Sequence, residues 1–180
     1  MPKGGGSLYP VSEAFLEAVK QNTRRYYWTG RITTKTGVIY NFGKEDIVKG
    51  SGSITAQCCG NTEIELGTVY AAELDISLFA NIDRYTLKDA LVEVFYHLKV
   101  ADSGNADPEY EQTTEADGIY ETIPMGIYEV SEANRKVKTL EIKAYDFMVR
   151  FEKSFNASES IGNCYDFMTL CSSFSAIWSG

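Results

Sequence analysis

The stretch 120-YETIPMGIYEVSEANRKVKTLEIKAYDFMVRF-151 decides the fold. Leu140, Ile142 and Ala144 alternate with Thr139, Glu141 and Lys143, the two-residue period of a strand with one apolar face. Residues 125–131 offer a partner strand, and "SEANRK" between the two reads as a charged turn. Asp146 then stands where a helix cap is expected, with Phe147 and Phe151 at the helical interval behind it. The unit is a hairpin followed by a capped helix, and it carries no obvious catalytic group.

The pattern extends outward on both sides. In "VYAAELDISLF", Tyr70, Ala72, Leu74, Ile76 and Leu78 alternate with Ala71, Glu73, Asp75 and Ser77, as in a half-buried strand. "LVEVFYHLKV" is apolar at both parities, which predicts a strand covered on both faces with His97 as a satisfied structural residue. Upstream, Ser12 precedes Phe15, Leu16 and Val19 at helical spacing, so a short helix is expected over 12–22. "RRYYWTGRITTKTGVIYNFG" reads as a hairpin turning near Thr36-Gly37, with Tyr26, Trp28 and Ile32 on one face, and a further strand is expected at 53–58. Residues 101–118 are rich in acids and nearly free of aliphatics, which marks a surface loop or insertion. Near the C-terminus, Cys164, Phe167, Met168, Cys171 and Phe174 form one stripe of a helix opening at Asn163. "YDFM" recurs at 145–148 and 165–168, but no longer repeat extends from it.

The expected class is α+β but mainly β: an antiparallel barrel-like sheet with short N- and C-terminal helices. The expected organisation is a lead-in at 1–10, a β-rich domain at 11–155 with the acidic insertion 101–118, and a C-terminal helical segment at 156–180. Twelve Tyr and nine Phe suit sheet surfaces and barrel interiors better than a helical bundle.

Charge narrows the partners. A net charge of −8 opposes attraction to phosphate, so specific nucleic-acid binding is not expected. "MPKGGGSLYP" lacks the apolar segment of a signal peptide, and no run of about 18 apolar residues predicts membrane insertion. Synthesis in the cytoplasm is the corresponding expectation, with Cys58, Cys59, Cys164 and Cys171 reduced and packed.

No motif in the sequence marks a site of chemistry. "KGSGSITA" matches neither a nucleophile elbow nor a phosphate loop. Asp102, Asn105 and Asp107 lack the glycine and terminal glutamate of a calcium loop. Glu109, Glu111, Glu115 and Asp117 sit in a polar setting that would not raise an acid's pKa for glycosidase work. A cysteine nucleophile would need His97 beside it, and His97 lies in an apolar strand. No catalytic, cofactor-binding or metal residue is therefore assigned, no cofactor is expected, and the chain reads as a scaffold and not an enzyme.

Taken in order, "VKQNTRRYYWTGRI", "DIVKGSGSITAQC", "GTVYAAELDISLF", "IPMGIYEVSEA", "LEIKAYDFM" and "CYDFM" resemble the N-terminal hub region of tail-associated baseplate proteins from phages and prophages of Gram-positive hosts. The resemblance spans most of 11–175, and "IPMGIYEVSEA" and "LEIKAYDFM" are its most specific pieces. It implies a tail-tube-like barrel, a homo-oligomeric ring of three, other phage tail proteins as partners, a place in the virion tail, and no enzymatic residue to carry over. A β module that binds carbohydrate or cell wall without catalysis is the alternative, with exposed aromatic rings stacking on sugars.

Overall fold

The computed structural model describes residues 9–56 and 70–152. The chain separates into two units, Met1–Val149 and Arg150–Gly180. The first holds every strand among the described residues. Of the second, only the end of a 3₁₀ turn at Phe147–Glu152 is described. The four cysteines, the second "YDFM" and the expected C-terminal helix lie outside the described residues.

One helix, α1 (Glu13–Lys20), leads the fold. Ser12 caps it, its hydroxyl accepting from Phe15 N at 3.0 Å. Its buried stripe is Phe15 and Ala18, whereas Leu16 and Val19 face outward, so the expected stripe is rotated. Among the described residues eight strands follow: β1 (Tyr26–Thr33), β2 (Ile39–Phe42), β3 (Ser53–Thr55), β4 (Glu73–Leu78), β5 (Leu91–Ala101), β6 (Gln112–Glu115), β7 (Gly118–Lys136) and β8 (Thr139–Tyr145). All pair antiparallel in one sheet ordered β2-β1-β5-β7-β8-β4-β3, with β6 on the free side of the first part of β7. This is the mainly β, antiparallel class that the alternation predicts.

Among the described residues the sheet rolls without a continuous closing ladder. The segment after β2 runs back to β4, where Ile47 bridges Leu78, Val48 N donates to Ser77 O at 2.9 Å and Phe79 N donates to Asp46 O at 2.7 Å. One core fills the roll, with Ile32 from β1, Phe42 from β2, Leu74, Ile76 and Leu78 from β4. Val92 and Val94 from β5, Tyr128 and Val130 from β7, Leu140, Ile142 and Ala144 from β8, and Ile82, Leu87 and Ala90 from the segment before β5 complete it. Each such aliphatic side chain contributes about 1.5–3 kcal/mol relative to exposure. A second, smaller cluster lies where Phe15 and Ala18 of α1 pack on Leu98 of β5, with Ile123 of β7 beside them.

Three expectations need correction. "SEANRK" is not a turn: β7 continues through it, and the reversal is the two-residue loop Val137–Lys138, with Lys136 opposite Thr139 and Val130 opposite Ala144. The acidic segment 101–118 is not all loop, since β6 pairs with β7 from Gln112 opposite Glu121 to Glu115 opposite Gly118. Gly118 permits this hairpin, because at φ +146° a Cβ would lie 2.3 Å from Ala101 O. Asp146 does cap a turn, accepting from Met148 N at 2.9 Å, but the turn is 3₁₀ and Phe147 is exposed and outside the core.

Candidate functional site

The strand period places Tyr27, Thr29 and Arg31 of β1, Phe95 and His97 of β5, and Tyr120 and Thr122 of β7 on the face turned away from the core. On it, the His97 ring stacks on Tyr27, with ring centres 4.5 Å apart and planes 11° apart. Its Nε2 is hydrogen-bonded to Thr29 Oγ1 at 2.8 Å and its Nδ1 to Thr122 Oγ1 at 2.9 Å. Both ring nitrogens are engaged with hydroxyls of flanking strands, which makes His97 a cross-strand tie. Its face of β5 is half-buried, less covered than the apolar run suggests.

Around this ring the acidic residues of the β6–β7 hairpin find partners. Glu115 accepts from the Tyr27 hydroxyl and, at 3.0 Å, from Lys44 Nζ, which lies 5.0 Å above the Tyr27 ring. Asp117 accepts from the Tyr120 hydroxyl at 2.8 Å and faces Arg25 at 3.9 Å. The Tyr27 hydroxyl and Lys44 hold the Glu115 carboxyl below its ordinary range, and burial followed by the Asp117 contact pushes Tyr120 up to about 12. Burial lowers His97, partly offset by Glu115 and Glu111.

These directions set a pH dependence. A carboxylate depressed in the folded chain stabilises it above the unfolded value, about 4.5 for Glu115, and loses that contribution as pH falls further. A histidine depressed by burial acts in the same direction, the loss beginning near 6.5. Melting temperature is therefore expected to fall in two steps on acidification, the second accompanied by faster amide exchange at 112–115. A His97→Gln chain should lack the first step. A melting temperature that is flat from neutral pH down to about 4 contradicts this assignment.

Of the other acids considered from sequence, Glu111, Asp107 and Asp102 are also tied locally. Glu111 accepts from the Tyr9 hydroxyl at 3.3 Å, and Asp107 accepts from Glu109 N at 3.0 Å. Asp102 pairs with Lys99 at 2.8 Å. The structure therefore joins Glu115 and Asp117 to tyrosines and cations, and does not set them as an acid–base pair across a cleft. Among the described residues no group of three or more His, Cys, Asp or Glu is placed to hold a metal ion. No helix among them is long and apolar enough to cross a membrane.

Two arrangements escape a sequence reading. Glu121, 2% exposed, sits beneath the start of α1 and accepts from Ser12 N at 2.8 Å, Ser12 Oγ at 2.5 Å and Gln112 Nε2 at 2.9 Å. On the outer face of β4 and β8, Lys143 pairs with Glu73 at 2.7 Å across the ladder. Lys143 lowers Glu73, while burial and then the neighbouring Glu73 raise Asp75. The alternation exposes Glu73, Asp75, Glu141 and Lys143 as polar positions, but only the β4–β8 pairing, between strands more than sixty residues apart, brings them together. A depression of about 270 Å³ beside α1 gathers Arg24, Arg25 and Lys99. All three are engaged, Arg24 with Val19 O at 3.4 Å and the others with Asp117 and Asp102, so it is not an open anion site.

No protein-family model matches the chain, and no curated protein matches it. Among solved structures, the chain is similar to one described as "Virion of native gene transfer agent (GTA) particle", with a TM-score of 0.48 and 10% identity. The similarity covers 81% of this chain and 48% of the other, so this chain spans about half the length of that one.

Proposed function

We propose that this chain is a structural component of a phage or prophage tail, a hub at the tail tip that assembles with its own copies into a ring of three. The observation that carries this reading is the β7–β8 hairpin. The two sequence pieces most specific to the hub resemblance, "IPMGIYEVSEA" and "LEIKAYDFM", fall on its two strands, paired from Glu129 opposite Tyr145 outward. The hairpin supplies Tyr128, Val130, Leu140, Ile142 and Ala144 to the core and joins β5 to β4, so it holds the roll together. A scaffold needs such a unit, and the polar groups around it serve cohesion: a histidine tied at both nitrogens and carboxylates bound to tyrosines and lysines.

The role is assembly without catalysis. In a ring, the outer face of β4, β8 and the end of β7, with Glu73, Asp75, Glu132 and Glu141 beside Lys143, is the face suited to a lumen, because excess negative charge repels passing DNA.

Particles released by cells that carry the gene test this reading. The chain is expected to stay with purified particles through density sedimentation, and gold-labelled antibody should mark one end of the tail. Absence from particles, together with binding to purified cell wall, would sink the hub reading in favour of the wall-binding module.

A further inference from the structure

Exposed apolar side chains gather at one end of the rolled sheet. Val38, Ile39, Phe79, Tyr85 and Val137 come from separate segments, and Tyr85 and Val137 are 75% and 95% exposed. Register puts them together: Ile39 opposes Thr33, which opposes Leu91 at the start of β5, Phe79 follows Leu78 opposite Leu140, and Val137 sits on the turn just beyond. Two adjoining grooves of about 510 and 670 Å³ run between them, sharing Asn81 and Ile82. The exposed cations Lys35, Arg84, Lys88, Arg135, Lys136 and Lys138 border this end and outnumber Asp46, Asp83, Asp89 and Glu141, with Lys35 paired to Asp89 and Lys136 to Glu141.

In a chain of net charge −8, a cationic rim means that the acid excess lies elsewhere. It lies in part at the far end of β5, about 30 Å along an eleven-residue strand. There Glu13, Glu17, Asp102, Asp107, Glu109 and Glu111 outnumber Lys20, Arg24, Arg25 and Lys99 around α1, which packs on Leu98; Glu17 pairs with Lys20 and Asp102 with Lys99. On the open side of that helix, Leu16 and Val19 stand three residues apart, 50% and 41% exposed, with Glu13 and Glu17 flanking them. The two ends are complementary: a groove edged by exposed apolar side chains with a mainly basic border, and a short helix with apolar knobs and a mainly acidic border.

We propose that α1 of a second copy of this chain docks in the groove, Leu16 and Val19 entering between Ile39, Phe79 and Tyr85 while Glu13 and Glu17 face Arg84 and Lys88. This is helix-in-groove recognition, with charge fixing the direction. Donor and acceptor surfaces lie at opposite ends, so the contact is head-to-tail and repeats, closing into a ring if the rotation allows and otherwise extending as a filament. The inference rests on this charge and apolar pattern and not on the tail reading, which the particle-labelling experiment tests separately.

Mass measurement on the full chain over a concentration series tests the contact. The unmodified chain is expected to associate, less so as salt is raised. An Arg84→Glu/Lys88→Glu chain and a Leu16→Gln/Glu17→Gln chain should each associate at least about tenfold more weakly while keeping the parent circular dichroism spectrum. Mixed, they should form a one-to-one dimer and stop, because one retains a working helix and the other a working groove. Should either variant lose its fold, Lys35→Glu at the groove or Val19→Gln on the helix takes its place. An unmodified chain that stays monomeric throughout overturns the proposal and leaves the groove to another partner. Variants that associate like the parent, or a mixture that stays monomeric, also overturn it.

Discussion

A Gly30→Ala chain is expected to lose about 3 kcal/mol, an overpacking cost that lowers the melting temperature by about 6–12 °C at this size. Gly30 lies mid-strand in β1, between Phe42 of β2 and Val94 of β5. A methyl there would stand 2.3 Å from the backbone oxygen of Glu93 and 2.4 Å from the Phe42 ring edge. The ring can turn aside, but the carbonyl belongs to the β5 backbone and moves only if the strands part. Shortening the ring should therefore recover only part of the loss, and a Gly30→Ala/Phe42→Leu chain should remain well below the parent. Gly43→Ala is the control: its nearest neighbour would be Asp46 Oδ2 at 3.8 Å, so it should be neutral or slightly stabilising. Calorimetry on the four chains decides the matter, and a Gly30→Ala chain as stable as Gly43→Ala would show that β1 and β5 are not packed as described.

Gly30 also marks how far the sequence can be read. A glycine inside "YYWTGRIT" signals a close backbone approach, but which backbone approaches depends on a partner strand more than sixty residues away. The strands themselves are plain where burial is one-sided. Leu74, Ile76 and Leu78 alternate with polar residues because one face meets the core, and the same holds for Leu140, Ile142 and Ala144. The reading fails where a strand gives the core few apolar side chains. Residues 131–136 pair with β8 beside the core residues Leu140 and Ile142, but contribute only the small Ala133 to that core, so their polar side chains resemble a turn, while Val137–Lys138 has neither glycine nor asparagine to announce the reversal. In the acidic segment the opposite happened. Asp117–Gly118 is a hairpin signal, and Thr113 and Thr114 favour extended backbone, but the density of acids pointed to loop.

The candidate site was legible residue by residue but not as an arrangement. His97 reads as structural from its apolar neighbours, yet its two threonine partners come from strands on either side, and nothing local names them. The α1 stripe shows the same limit. Phe15, Leu16, Ala18 and Val19 offer two faces, and only the position of Leu98 and Ile123 beneath the helix selects Phe15 and Ala18. Leu16 and Val19 are left outward, which is what makes them available to a second copy.

What holds that helix in place is the buried Glu121, and its removal should have the second large effect. A Glu121→Ala chain is expected to lose about 3 kcal/mol, because hydrogen bonds to a charged acceptor contribute about 1.5–3 kcal/mol each and do not add fully, and the Ser12 donors left behind are buried. The loss has a location. Ser12 N and Oγ both donate to this carboxylate while Ser12 Oγ also accepts from Phe15 N, so the cap and its anchor are one network that ties residues 12 and 15 to β7. The carboxylate also faces the positive end of α1, where negative charge is favourable. Amide exchange at 13–20 should thus accelerate more than exchange at Val92 or Leu140 in the main core, which shares no side chain with the network. Glu121→Gln keeps one acceptor and the shape, and should fall between Ala and the parent. Uniform acceleration across both regions would mean that α1 is integral to the whole fold. Unchanged exchange at 13–20 would mean that Phe15 and Ala18 alone secure the helix, and Glu121 would then be no anchor.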